Sequence, residues 1–278
     1  MKTIFISYGD RPFRNTLQRI GYEANKLGIF DKIVLYTPED LPLFIRCSPL
    51  MAFEKGGGYW IWKPYILWKT LQTCADDDIV VYSDAGNCLR RSHEWNIYFC
   101  EMSNYDTIVF QYRNDVDYGW KDFIGCDSPK IKHWTKKTTL LYFDRLFADE
   151  HWREYNKILA GFLICKGKYN NLIEQWLRIS LLYPELVSDP FGSETSDQEE
   201  CFVLHRHDQS ILTPLSYYFE RNKTVLILPE TCESQEERAA VVCKRLRYVQ
   251  KIGFRSKVIR FIKSLIGDNM YKTLRFYR

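Results

Sequence analysis

The chain has 278 residues, and its 39 Lys/Arg against 35 Asp/Glu give a formal charge of +4. This length fits one large domain or two small ones, and a 46% apolar fraction excludes a disordered chain. No apolar run reaches the roughly 18 residues that a membrane-spanning helix needs. Residues 2–7 read as a first strand, with Tyr8-Gly9-Asp10 as its turn. Residues 13–27 have helical periodicity and stop at Gly28, a natural C-terminal cap. Lys32–Tyr36 is a second strand, residues 38–53 a loop or short helices, and Gly56-Gly57-Gly58 a flexible joint. Residues 62–74 are helical, with Pro64 tolerated in the first turn. Ile79–Ser83 is a buried strand followed by Asp84-Ala85-Gly86-Asn87. Residues 93–102 read as helix and Thr107–Gln111 as strand, while 112–158 show no clear pattern. Residues 159–165 form a strand interrupted by Gly161, and 169–183 a helix. Residues 189–200 are polar and turn-rich, as a mobile loop would be; 208–219 are a helix and 224–228 a final strand.

This alternation predicts an α/β domain with a mostly parallel central sheet flanked by helices. In such sheets ligands bind outside the carboxyl ends of the strands. Tyr8-Gly9-Asp10, Asp84-Ala85-Gly86-Asn87 and the turn at Gly161 all fall at such edges. No GxGxxG follows the first strand and no GxxxxGK[ST] occurs, which removes the dinucleotide and P-loop readings.

The charge is unevenly placed. Residues 244–278 hold 11 Lys/Arg and one acid, Asp268, so the tail carries +10 and the body 4 − 10 = −6. Phe254, Val258, Ile259, Phe261, Ile262, Leu265 and Ile266 recur at helical spacing, with Arg255, Lys257, Arg260 and Lys263 mostly opposite. A basic amphipathic helix of this kind suits an anionic membrane surface, and equally a C-terminal helix that packs its stripe on the body. The acidic body weighs against nucleic acid as a partner. The expected division is 1–230 as the main domain and 231–278 as a basic helical extension. The 9 Cys are irregularly spaced without a CxxC, which argues against a disulfide framework or zinc knuckle. The N-terminus enters a strand directly, without signal-peptide character, so the expected setting is a reducing cytosol.

Three constellations carry chemistry. A strand ending in Asp84 can present one carboxylate to Mg²⁺ or Mn²⁺, or simply cap a turn. Gly56-Gly57-Gly58-Tyr59-Trp60-Ile61-Trp62-Lys63-Pro64 sets a cation beside flat apolar walls, which suits a phosphorylated sugar and equally a Trp-rich core corner with Lys63 in solvent. The aromatic fraction of 16% fits either a ring-shaped ligand or an aromatic core. His205-Arg206-His207-Asp208-Gln209-Ser210 precedes an apolar helix. Capping explains one carboxylate there, but not the neighbouring His, Arg and Gln. Trp134-Thr135-Lys136-Lys137 is a weaker fourth, whose lysines reach a phosphate or stay solvated.

Taken in order and spacing, these segments together with Ile6-Ser7-Tyr8-Gly9-Asp10 and Ala160-Gly161-Phe162 resemble bacterial surface-polysaccharide glycosyltransferases of the GT-A type. The chain is distantly similar to families 8 and 32 of those enzymes. The resemblance runs to about residue 230 and implies a Rossmann-like nucleotide-sugar domain. It implies that Tyr8 and Asp10 contact the base and ribose, with Lys63, Trp60, Trp62, Ser83 and Asp84 also on the donor. It implies Gly161, His207 and Lys136 at the sugar or acceptor, and Asp208 and Gln209 in catalysis. Asp84, assisted by Asn87, would hold Mn²⁺ or Mg²⁺; the second acid of the usual Asp-X-Asp is here Gly86, and no His follows His207. The implied partners are a nucleotide sugar, such as a UDP-hexose, and a glycan or lipid-linked glycan, with residues 244–278 on the inner membrane face. Residues 189–200 would serve as a lid. A sugar nucleotidyltransferase shares the sheet and metal-binding Asp but needs a Gly-rich loop that residues 8–16 lack. A non-catalytic glycan- or membrane-binding module would need no His-Arg-His-Asp-Gln cluster.

Overall fold

The computed structural model describes residues 1–244. The strands are β1 (Thr3–Tyr8), β2 (Lys32–Tyr36), β3 (Ile79–Ser83), β4 (Cys88–Leu89), β5 (Thr107–Gln111), β6 (Phe162–Lys166), β7 (Val225–Pro229) and β8 (Val241–Val242). Period-two alternation builds two apolar layers. Ile4, Ile6, Val80, Tyr82, Leu163 and Cys165 enter one core, whereas Phe5, Ile79, Val81, Phe162 and Ile164 enter the other. Both faces of the central strands are therefore covered, which is why β3 is apolar almost throughout and fully buried. Helices Trp62–Leu71, Asn171–Leu182 and Asp208–Glu220 supply side chains to the first core. Helices Arg14–Leu27 and Glu94–Glu101 supply the second.

The six-stranded sheet runs β2-β1-β3-β6-β5-β7. All of its strands are parallel except β6, which is antiparallel to β3 and β5. The mostly parallel sheet read from the sequence is thus present, with one reversal. That reversal matters for the site: the start of β6, not its end, lies at the carboxyl edge of β3, where Phe162 pairs with Ser83. Gly161 reaches that edge because it precedes an antiparallel strand. It does not interrupt one, so the strand expected over 159–165 begins later, at Phe162.

Residues 112–158 resolve into short helices, including Trp120–Ile124 and Lys137–Phe147, packed around the buried rings of Trp134 and Trp152. Residues 231–244 belong with the body, not with a C-terminal extension starting at 231. Cys232 and residues 239–242 are buried, and β8 pairs antiparallel with β4. The amphipathic tail expected after Lys244 lies outside the described residues. Among the described residues, no helix is long and apolar enough to cross a membrane.

Candidate active site

Two strained turns and one strand end bring the site together. At the first turn, five successive residues, Gly56 to Trp60, have left-handed φ values of 61°, 56°, 92°, 54° and 60°. Glycine is required at Gly58, where a Cβ would meet Met51 Sδ at 2.5 Å. The expected flexible joint is therefore a tightly packed turn. Tyr59 and Trp60 have no such licence and cost about 1–2 kcal/mol each in this region. Both rings pack on His207, at centroid separations of 4.7 and 5.6 Å. His207 is itself strained, at φ 51°, ψ −115°. Each strained element leads into a helix whose first turn carries a charged side chain: Lys63 after one, Asp208 after the other. Such strain persists only where the surroundings over-determine it, and it concentrates at functional sites.

The third element is the end of β3. The Asp84 amide donates to Gly161 O at 2.9 Å, and the Asn87 side-chain amide donates to Gly161 O at 2.9 Å and to Ser83 Oγ at 3.1 Å. A Cβ on Gly161 would lie 3.0 Å from Asp84 Oδ2, so glycine lets that carboxylate approach without displacement.

Lys63 joins the three. Its Nζ lies 2.6 Å from Asp208 Oδ2, 3.1 Å from Ala160 O and 3.5 Å from Asp84 Oδ1. Burial opposes the charge on Lys63, but Asp208 and Asp84 outweigh it and hold its pKa above the ordinary value. Burial pushes the Asp208 carboxyl up, Lys63 pulls it down and Asp84 pushes it up again, leaving it at about 6. Tyr82 donates its hydroxyl to Asp84 Oδ1. Burial keeps that phenol protonated, far above its usual range.

These groups face a cleft of about 200 Å³. Of the residues predicted from the sequence, Lys63, Trp60, Asp84, Asn87, Gly161, His207, Asp208 and Gln209 line it. Ser83 is fully buried beneath, holding Asn87. Others are placed elsewhere. Tyr8 and Trp62 stack on each other at 3.8 Å inside the first core, and neither lines the cleft. Asp10 has one buried oxygen without a hydrogen-bond partner among the described residues, and burial raises its pKa. Lys136 does not line the cleft: it is 1% exposed and bonded to Glu194 at 3.0 Å. That pair, Lys137 with Asp197, Lys55 with Asp189 and Arg153 with Glu199 tie the 189–200 segment to the body. The segment read as a mobile lid is thus fastened by ion pairs, because its acids match lysines and an arginine distant in sequence.

The histidines act as struts. His205 Nε2 donates to Leu186 O at 3.0 Å and its Nδ1 accepts from the Lys136 amide at 3.3 Å. His207 Nδ1 donates to Val187 O at 2.8 Å, which turns Nε2 toward Asp189 at 3.6 Å. Burial lowers both, His207 to about 4, so both are neutral at pH 7.

The sequence reading missed Lys55, Lys157 and Tyr112 in the lining. Lys157 Nζ sits over Tyr112, Trp120 and Trp134 at 4.4, 3.5 and 3.9 Å. A cluster of Trp and Tyr around a Lys was the only available signal, and it is spread over residues without a pattern.

Asp84 and Asn87, implied as metal ligands, come together at the cleft, but they bring few donors. Asp84 Oδ1 is engaged by Tyr82 and Lys63, and the Asn87 amide nitrogen by Ser83 and Gly161. Gly86 offers no side chain, and Asp208 is closed on Lys63. Among the described residues, no group of three or more His, Cys, Asp or Glu is placed to hold a metal ion. One carboxylate oxygen of Asp84 and the side-chain oxygen of Asn87, beside an ammonium, are a sparse donor set for Mg²⁺ or Mn²⁺, which favour several oxygens around a cation.

No family model matches the chain, and no curated protein matches it. Among solved structures it is similar to a glycosyltransferase involved in the glycosylation of the major capsid of PBCV-1, with 9% identity, 94% of this chain and 100% of that chain covered, and a TM-score of 0.46. It is also similar to mouse xyloside xylosyltransferase 1, with 10% identity, 82% and 85% covered and a TM-score of 0.42. An active-site mutant of LgtC gives 12% identity, 94% and 95% covered and a TM-score of 0.42.

Proposed function

We propose that the chain is a glycosyltransferase that moves a hexosyl unit from a nucleotide sugar to a saccharide or lipid-linked saccharide. The observation that carries this reading is the buried Asp208–Lys63–Asp84 group at the carboxyl edge of the sheet, open to one cleft. With a pKa of about 6, Asp208 is a carboxylate at pH 7 and close enough to neutrality to act as a general base. It takes the proton of the acceptor hydroxyl as that oxygen bonds to the anomeric carbon. The bond from that carbon to the diphosphate breaks, and its electron pair leaves on the diphosphate oxygen. Gln209, held by its amide to Ile158 O, lines the cleft beside it and orients the sugar. The unpartnered buried oxygen of Asp10, at the end of β1, suits a ribose hydroxyl of the donor. A surface-polysaccharide role, a lipid-linked acceptor and a cytoplasmic membrane-face location rest on the sequence resemblance and the basic tail.

The test is incubation with a panel of UDP-hexoses and detection of released UDP. Slow donor hydrolysis that Asp208→Asn abolishes is expected. A folded protein that neither binds nor turns over any nucleotide sugar contradicts the reading and favours a glycan-binding module.

A further inference from the structure

Resting on that reading, we propose that the cleft neutralises the departing diphosphate with the chain's own cations, Lys63 occupying the place a divalent ion would need between Asp84 and Asp208. The geometry is specific. An ammonium lodged 2.6 Å from one carboxylate and 3.5 Å from the other balances charge where a metal would otherwise be coordinated. Bringing a second cation beside it meets like-charge repulsion in a largely buried setting, where repulsion is screened least. The residue types agree with this. The position that would carry a second acid is Gly86, and the glycine at 161 lets Asp84 approach the β6 turn instead of opening toward an ion.

The contact of Lys63 to Asp84 is the one a substrate oxygen can replace. Its contacts to Asp208 and Ala160 are short, whereas the one to Asp84 is long for a hydrogen bond. A phosphate oxygen entering beside Asp84 competes with that carboxylate for the third N–H. The rest of the lining holds three further cations, Lys55, Lys157 and Arg206, and one further acid, Glu233, with Lys55 paired to Asp189. The charged lining is thus four cations against three acids, Asp84, Asp208 and Glu233, and a diphosphate leaving group meets a small excess of positive charge.

Manganese binding tests this directly, because bound Mn²⁺ loses its free-ion EPR signal. The full-length wild type should bind Mn²⁺ at least tenfold more weakly than Lys63→Met, in which two carboxylates face each other without the ammonium. Adding Asp84→Asn to Lys63→Met should remove the gain. Wild-type binding of Mn²⁺ that disappears in Asp84→Asn would overturn the proposal, as would a folded Lys63→Met that gains nothing. Should Lys63→Met fail to fold, the wild type alone decides. Its UDP-hexose hydrolysis should agree within twofold in EDTA and in Mn²⁺, and a tenfold dependence on Mn²⁺ would overturn the claim. A protein inert toward every nucleotide sugar fails the transferase reading instead, and the wild-type Mn²⁺ titration then settles the charge claim by itself.

Discussion

The two walls of the cleft carry positive charge by different means. On one wall Lys63 is closed between two carboxylates, at 2.6 and 3.5 Å. On the other Lys157 is packed into a box of three aromatic rings, all within 4.4 Å of its ammonium. The first arrangement couples charges: Lys63 and Asp84 both set the protonation of Asp208. The second sets a cation against π faces that do not titrate near neutrality. A base and a charge clamp can therefore operate side by side in one cleft.

The comparison can be broken or sharpened by substitution. The largest expected effect is on turnover. Asp208→Asn keeps an acceptor for Lys63 but removes the base, and a loss of about 10²–10⁴-fold in kcat is expected for a positioned general base. A loss below tenfold would move the base elsewhere. Next comes stability. Lys63→Met leaves Asp208 buried without its partner, and urea denaturation should show a loss of about 3–5 kcal/mol, the cost of orphaning a buried ion. Lys157→Met keeps an apolar stem inside the ring box, so its loss should be smaller, about 2 kcal/mol. Equal losses would erase the distinction between the walls.

The acid limb of the pH–rate profile sharpens it further. Ionised Asp208 is the active form, so the rate should rise with pH through about 6. The Asp84 charge raises the Asp208 pKa, so Asp84→Asn should move the limb to lower pH. A limb that stays in place would separate the two carboxylates. The smallest effect expected is that of Gly161→Ala. Its methyl would sit 3.0 Å from Asp84 Oδ2, displacing that carboxylate at about 1–3 kcal/mol of overpacking, readable as reduced kcat in a protein that still folds.

The walls also differ in how far they could be read before the structure. Asp84 follows a continuous apolar run, and Lys63 and Asp208 each stand at the first turn of a periodic helix. Local pattern therefore put Asp84 at the sheet edge, and the family resemblance brought Lys63 and Asp208 to it. Lys157 and its rings lie in residues 112–158, where no period exists and only tertiary packing brings Tyr112, Trp120 and Trp134 to one point. Tyr8 and Trp62 were expected at the ligand because aromatics near a strand end read alike whether they face a cleft or each other. Lys136 was expected at the acceptor because Glu194, its partner, is 58 residues away in sequence. The antiparallel sense of β6 was invisible for the same reason, since strand direction is set by the crossover and not by side-chain alternation.

The central claim is that the cleft at the carboxyl edge of the sheet seats an activated sugar between the Lys63–Asp84 pair and Asp208. A crystal structure of the Asp208→Asn protein with an intact UDP-hexose tests it most directly. The account predicts the diphosphate beside Lys63 and Asp84, with the anomeric carbon turned toward residue 208. A donor seated on any other face, with the cleft holding only water, would contradict it.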